Sequence, residues 1–134
     1  MSIRSLGIAA ACLVVGAVAL EAQPPWPAPA QLDAFLGTWT FAMTNPPNSE
    51  QTVRIAEKNG AVTASLQVGK FPPNAVTGMV KDGDLLVLTT TVRENGVPIY
   101  SVVALKREGD RLNMAQLLEN SQTVKRGTGT KQPD

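Results

Sequence analysis

The sequence predicts an all-β fold, an antiparallel up-and-down barrel of about eight strands, and two kinds of observation support this prediction. Apolar and polar residues alternate along most of the chain after Gly37, which is the pattern of strands that bury one face. Short turns containing glycine separate these stretches and are typical of β-hairpins. Consecutive hairpins form a meander, and eight strands can close into a barrel without free edges. An open sheet or a sandwich is the alternative, because closure leaves no mark on a sequence.

The strands and turns can be placed along the chain. Between Val62 and Val68, apolar residues alternate with Thr, Ser and Gln, as in a strand with one buried face. The predicted hairpin turns are Asn59-Gly60, Asp82-Gly83 and Gly109-Asp110, and each lies between two alternating stretches. The predicted strands comprise residues 37–44, 51–58, 61–68, 75–81, 84–93, 97–107, 110–118 and 121–129.

Residues 1–22 have the composition of a signal peptide for export. Arg4 supplies a positive charge, Leu6–Leu20 is apolar, and small residues permit cleavage after Ala19 or Ala22. The apolar stretch, about 15 residues, is shorter than the ~20 residues that span a bilayer as a helix. We therefore expect a secreted or periplasmic protein with no membrane span in the mature chain. A retained anchor, or lipidation of the cysteine in this segment, is the alternative.

An extended, proline-rich tether is predicted for residues 23–30, because four of these eight residues are proline. Trp26 within the tether is interpreted either as a docking point for a partner or as a side chain that packs on the edge of the domain. Gln31–Leu36 follows with the apolar spacing of one or two helical turns that plug an opening of the barrel. The barrel domain covers residues 31–130, and residues 131–134 form a C-terminal tail.

The composition excludes several classes of function. The chain contains no histidine, which removes the commonest general base and the usual ligand of zinc, copper and non-haem iron. Its single cysteine, Cys12, lies within the predicted signal peptide, so we expect neither a disulfide nor thiol chemistry in the mature chain. The formal net charge of +1 argues against nucleic acid as a partner. We therefore expect a protein that is not an enzyme and that needs no metal and no cofactor.

A short motif opens the first predicted strand. Phe35-Leu36 precedes Gly37-Thr38-Trp39, and this Gly-x-Trp sequence resembles the signature of the calycins, which include lipocalins, fatty-acid-binding proteins and avidins. The hairpins are similar to those of small secreted bacterial barrel domains of lipocalin-like type. The resemblance implies that the tryptophan lies across one end of the barrel and is covered by a basic residue of the last strand. That residue would be Arg126 or its neighbour Lys125, so the implied barrel-closing pair is Trp39 with Arg126.

The inward face of the barrel supplies the candidates for a ligand site. If the tryptophan of the motif points inward, the alternation of a strand places Phe41 and Met43 on the same face. Tyr100, with Arg54 or Arg93, is a candidate polar anchor at a cavity mouth. Eight-stranded barrels either pack solid or hold one small ligand, so a filled core is the alternative. The candidate ligand-binding residues are Phe41, Met43, Leu66, Leu88, Tyr100 and Met114.

Together these features predict an exported, non-catalytic, lipocalin-like barrel that binds a small apolar or amphiphilic molecule within the barrel or at its mouth. The alternative is a solid barrel that acts as a structural or interaction module and docks on another exported protein or complex. The size of the cavity separates the two functions, because a site for a small molecule needs roughly 300 Å³ or more.

Export predicts a defined N-terminus. The mature chain should begin at Gln23, or at Leu20 if the first site is used, because cleavage removes the positive and apolar segments together. N-terminal sequencing of the exported protein checks this prediction. Exported material that retains Met1 would contradict it and would indicate a membrane anchor.

Overall fold

A computed structural model describes residues 26–133, which form a closed antiparallel barrel of eight strands paired in chain order. The predicted fold class is therefore confirmed. The predicted signal peptide, residues 23–25 of the tether and Asp134 lie outside the described residues. The strands are β1 (Gly37–Thr44), β2 (Pro47–Lys58), β3 (Ala61–Val68), β4 (Asn74–Asp82), β5 (Leu85–Glu94), β6 (Val97–Glu108), β7 (Arg111–Leu118) and β8 (Lys125–Lys131).

Three of the predicted strand boundaries differ from the structure by two or more residues. β2 begins at Pro47, because only the turn Asn45-Pro46 separates it from β1, and a proline is tolerated as the first residue of a strand. β8 begins later than predicted, because residues 119–124 form the connection from β7. The same strand extends into the predicted tail, where Lys131 pairs with Trp39 of β1.

Pairing between β1 and β8 closes the barrel, and side chains of β1 occupy the interior space next to β8. Phe41 and Met43 are buried, and they lie opposite Gly129 and Gly127. A Cβ atom at Gly129 would lie 2.6 Å from the Phe41 ring, and one at Gly127 would lie 2.5 Å from Met43 Sδ. Two inward positions of β8, 127 and 129, are therefore glycine because the side chains of β1 occupy the space that a larger residue would need.

The two ends of the barrel are covered differently. At the closed end, three short hairpin turns lie on the same side as the start of β1 and the N-terminal segment, residues 26–36. The opposite end, the mouth, is formed by the turns Asn45-Pro46 and Asn95-Gly96 and by the loops 69–73 and 119–124. The longer connections of the chain are therefore gathered at the mouth.

The N-terminal segment packs against the core. Pro29–Leu32 forms a 3-10 turn that begins two residues before the predicted helical turn, because proline is favoured at the start of a helical segment. Leu32 and Phe35 are buried, and Trp26 packs partly buried against the same apolar cluster. Trp26 therefore lies on the edge of the domain, which is the second of its two predicted interpretations.

The shortest ladder of the barrel lies between β3 and β4. Only two residue pairs join these strands, Ser65 with Ala75 and Leu66 with Asn74, whereas β1 and β8 share five. The loop that joins β3 to β4, residues 69–73, is part of the mouth. On this side of the mouth, the position of the chain therefore depends more on the loop 69–73 than on hydrogen bonds between β3 and β4.

The packing of β1 on β8 predicts the effect of enlarging Gly129. Gly129→Val should lower the free energy of unfolding by ~1–3 kcal/mol, because the buried Phe41 ring has no room to move aside. Urea denaturation measures the change. Thr128→Val, an exposed position on the same strand, is the control and should stay within ~0.5 kcal/mol of the original protein. Equal stability of the two variants would contradict the close packing.

Candidate functional site

Trp39 holds the closed end together. Its Nε1–H donates a hydrogen bond to the Phe35 carbonyl oxygen at 2.9 Å, in a buried position. The guanidinium of Arg107, at the end of β6, lies over the indole with Cζ 5.7 Å from the ring centroid. Arg107 Nη1 also donates to the Ala34 carbonyl oxygen at 2.6 Å. Arg107 therefore ties the N-terminal segment to the tryptophan that closes this end.

The prediction that Arg126 covers Trp39 is wrong, although the first and last strands do pair. Trp39 lies opposite Lys131, and Arg126 is five residues earlier on β8, a distance of roughly 17 Å along a strand. The Arg126 side chain is exposed, and its backbone N–H donates to Asn45 Oδ1 at 3.2 Å at the mouth. Its neighbour Lys125 lies at the same end. The cation over the tryptophan comes from β6 instead.

Five of the six predicted ligand-binding residues lie in the core of the barrel. All five belong to one apolar cluster, and each is at most 5% exposed. In the structure they pack within this cluster, and their contact with a ligand stays a prediction. The five residues are Phe41, Met43, Leu66, Leu88 and Met114.

Tyr100, the sixth, lies on the outer face. Its neighbours Ile99 and Ser101 are buried, so the alternation of β6 turns the Tyr100 ring outward, where it is 47% exposed. Tyr100 therefore does not line the mouth from within. Of the two arginines predicted as anchors, Arg54 is exposed beside an outer groove of β2 and β3, and Arg93 lies at the mouth.

A polar cluster lies inside the barrel near the mouth. Gln51, Ser101 and Gln116 are each at most 5% exposed. Gln51 Nε2 donates to Gln116 Oε1 at 2.7 Å, and Gln116 Nε2 donates to Ser101 Oγ at 3.0 Å. Within the described residues, Gln51 Oε1 has no hydrogen-bond partner. The interior therefore changes from apolar beside Trp39 to polar near the mouth.

A cavity of about 40 Å³ adjoins the two glutamines. Lys125 reaches it because this residue continues the inward face that β8 presents with Gly127 and Gly129, and its side chain is half-buried. The cavity thus combines amide, charged and apolar groups. Its lining residues are Gln51, Val68, Val92, Arg93, Glu94, Gln116, Leu118 and Lys125.

Next to this cavity, the mouth carries a groove of about 490 Å³. One wall is the loop 69–73, in which the Phe71 ring is 70% exposed. The other is the Asn95-Gly96 turn, whose φ angles of 54° and 80° are those of a tight hairpin turn. Arg93 Nη1 donates to the Gly96 carbonyl oxygen at 3.1 Å and holds this turn. The lining residues are Val68, Phe71, Pro72, Pro73, Asn74, Val92, Arg93, Asn95 and Gly96.

Sequence reasoning missed the buried glutamines, although the pattern contained a signal for them. Gln51 continues the inward face that Val53 begins, and Gln116 lies between the inward residues Met114 and Leu118. A long polar side chain at an inward position of an alternating strand is informative, because such residues are mostly exposed. Scanning the inward positions for polar residues finds both.

The structure also bears on metal ions and membranes. In the part of the chain that the structure describes, no group of three or more His, Cys, Asp or Glu side chains comes close enough to hold a metal ion. Asp82 and Asp84, which flank Gly83, lie at a hairpin turn between β4 and β5. Between residues 26 and 133, no helix has the length and apolar character needed to cross a membrane.

No protein-family model and no curated protein sequence matches this chain. The closed eight-stranded antiparallel barrel is compatible with a calycin-like fold. Because folds of this kind carry many unrelated functions, the function has to follow from the chemistry of the mouth.

The contact of Arg107 with Trp39 predicts an energetic coupling. Arg107→Ala should destabilise the barrel, and its effect should be smaller by ~0.5–1 kcal/mol in a Trp39→Leu background, where the cation–π contact is already lost. A double-mutant cycle from thermal or urea denaturation should give an interaction energy of ~0.5 kcal/mol or more. Arg126→Ala, at the opposite end, is the matched control and should be additive with Trp39→Leu. Coupling of Arg126 in place of Arg107 would contradict the observed geometry.

Proposed function

We propose that this chain is an exported, non-catalytic, lipocalin-like barrel that binds a small amphiphilic molecule at its mouth. The observation that carries the proposal is the groove of about 490 Å³ between the loop 69–73 and the Asn95-Gly96 turn. This volume lies within the range of small-molecule sites, roughly 300–1,000 Å³. Such sites combine an apolar lining with a few polar groups, and the groove does the same.

Phe71 supplies the main apolar surface of the groove. Its side chain is 70% exposed, and covering an aromatic ring of this size with an apolar ligand contributes ~1.5–3 kcal/mol. Pro72 and Pro73 follow it, and their fixed φ angles make this wall stiff before a ligand arrives. Val68 and Val92 add apolar surface next to the polar cavity. A molecule with an apolar body and one polar end matches this arrangement.

The packing of the interior favours a site at the mouth over one in the middle of the barrel. Phe41 and Met43 fill the space against the glycines of β8. The cavity beside Gln51 and Gln116 has a volume of about 40 Å³, close to the ~30 Å³ of one water molecule. Only the polar end of a ligand can enter such a cavity, so the body of the molecule has to lie in the groove.

Export and the absence of catalysis belong to the same proposal. Export is supported by the positively charged and apolar composition of residues 1–22 and by the small residues at Ala19 and Ala22. A binding function is supported by the lack of histidine in the chain and by the engagement of the buried Ser101 hydroxyl with Gln116. The lipocalin-like assignment is supported by the barrel and by the Gly-x-Trp motif at its closed end.

A second candidate function, docking on another exported protein or complex, is favoured by apolar side chains on the outer face. Tyr100 on β6 and Leu117 on β7 are 47% and 44% exposed. Val102 lies outward between them and pairs with Leu117. These side chains form a patch on a convex surface, whereas the mouth offers a concave groove beside a buried polar group. The small-molecule function is therefore preferred.

The role of Phe71 predicts which substitution weakens binding. Phe71→Ser should lower the affinity for the amphiphilic dye anilinonaphthalene sulfonate about tenfold or more, because the ring contributes much of the apolar contact. Fluorescence titration measures the affinity. Val80→Ser is the matched control, because Val80 is 57% exposed on β4 and lies outside the groove. Both variants should keep the stability of the original protein within ~0.5 kcal/mol.

Unchanged dye binding by Phe71→Ser would contradict a site in the groove. Native mass spectrometry of protein purified from its own source separates the two candidate functions. A retained small molecule supports the groove as a binding site, and a retained protein partner supports docking on the outer face.

A further inference from the structure

The polar cluster inside the barrel ends in an unsatisfied atom. Gln51 is 5% exposed, and its Oε1 atom has no hydrogen-bond partner within the described residues. Its Nε2 is committed to Gln116, whose own Nε2 is committed to Ser101. Buried polar atoms are nearly always paired, and leaving one unpaired is costly. This oxygen therefore calls for a hydrogen-bond donor from outside the cluster.

The unsatisfied oxygen belongs to the side chain that lines both the polar cluster and the small cavity. Gln51 and Gln116 line the cavity of about 40 Å³, and Val68, Val92 and Arg93 are shared by that cavity and the groove of about 490 Å³. A molecule whose body covers Phe71 in the groove can thus place one small polar group beside Gln51. The size of the cavity limits that group to very few heavy atoms.

The charges around the cavity select among the possible polar groups. Arg93 and Lys125 are positive and Glu94 is negative, and all three line the cavity. A carboxylate only accepts hydrogen bonds, so it would place its oxygens against the unsatisfied Gln51 Oε1. An ammonium group donates, but it would enter beside two cations. A neutral hydroxyl donates one hydrogen bond and accepts others, and it loses less on leaving water than a charged group.

We infer that the mouth recognises a small apolar alcohol, whose hydroxyl donates a hydrogen bond to Gln51 Oε1 while its hydrocarbon body lies in the groove against Phe71. This inference rests on the proposed function and goes further than it, because it names the chemical class of the ligand and the residue that hydrogen-bonds to the polar end of the ligand.

The test compares three probes of similar length: octanol, its isomer methyl heptyl ether, and octanoate. Octanol should bind at least about tenfold more tightly than the ether, because the ether cannot donate to Gln51. It should also bind more tightly than octanoate near neutral pH, where octanoate is ionised. Isothermal titration calorimetry or NMR titration of the full mature protein measures the three affinities.

Substitution of Gln51 locates the hydroxyl. Gln51→Leu should abolish the preference for octanol over the ether while keeping the affinity for the ether within about threefold, because the apolar contacts in the groove are unchanged. Gln67→Leu is the matched control, because Gln67 points outward from β3 between the inward residues Leu66 and Val68. It should leave the preference intact. The comparison of probes on the unsubstituted protein stays decisive even if Gln51→Leu fails to fold.

The outcomes separate this inference from the proposed function. If octanoate binds as tightly as octanol or more so, and Phe71→Ser weakens both, the groove is a binding site but the hydroxyl inference is overturned. If octanol is preferred and Gln51→Leu leaves the preference unchanged, the hydroxyl lies elsewhere and the inference is also overturned. If none of the probes binds and the dye does not bind, the inference and the proposed function fail together.

Discussion

Hydrogen bonding between β1 and β8 joins the two ends of the sheet, and the other features of the barrel depend on this junction. Gln51 lies on β2 and Gln116 on β7, so the two glutamines are separated by both of the joined strands and by 65 positions in sequence. Their hydrogen bond forms only because closure brings β2 and β7 to the same interior. The junction itself depends on side-chain volume, since glycines on β8 admit the Phe41 ring and the Met43 thioether. A close packing of large residues on small ones thus places a polar cluster near the mouth.

The two ends of the barrel differ in hydrogen bonding and in exposed apolar surface. At the closed end, the Trp39 ring packs with the buried Phe35 and Leu32, and the guanidinium of Arg107 lies over it. The indole N–H and the guanidinium both donate hydrogen bonds there. Near the mouth, the amide oxygen of Gln51 has no hydrogen-bond partner among residues 26–133 and lies beside a small cavity. The closed end and the β1–β8 junction thus combine close packing with satisfied hydrogen bonds. The mouth retains exposed apolar surface and an unsatisfied acceptor, and both are features that a bound amphiphile would remove.

The sequence predicted the architecture well and the site poorly, and the reason is physical. Alternation and tight turns are local signals, so the strands and hairpins could be predicted directly, and alternation placed Phe41 inward once Trp39 was taken as inward. Which residue covers Trp39 depends on contacts between strands that are far apart in sequence, because Trp39 lies on β1 and Arg107 at the end of β6. Arg107 continues the inward face of β6. The alternation of that strand therefore indicates the cation over Trp39 better than membership of the last strand does. The groove could not be predicted, because it forms between two loops that are distant in sequence.

Whether the mouth holds a small amphiphile is tested most directly by mapping the bound position of a ligand by NMR. Octanol is titrated into the isotopically labelled mature protein, and backbone and side-chain amide shifts are followed. A ligand site at the mouth predicts that the changes concentrate at loop 69–73, at the Asn95-Gly96 turn and at the side-chain amide of Gln51. It also predicts that the Trp39 indole N–H stays unchanged, because that group is buried at the opposite end. Shifts centred on Trp39, or on Tyr100 and Leu117 of the outer face, would contradict a ligand site at the mouth.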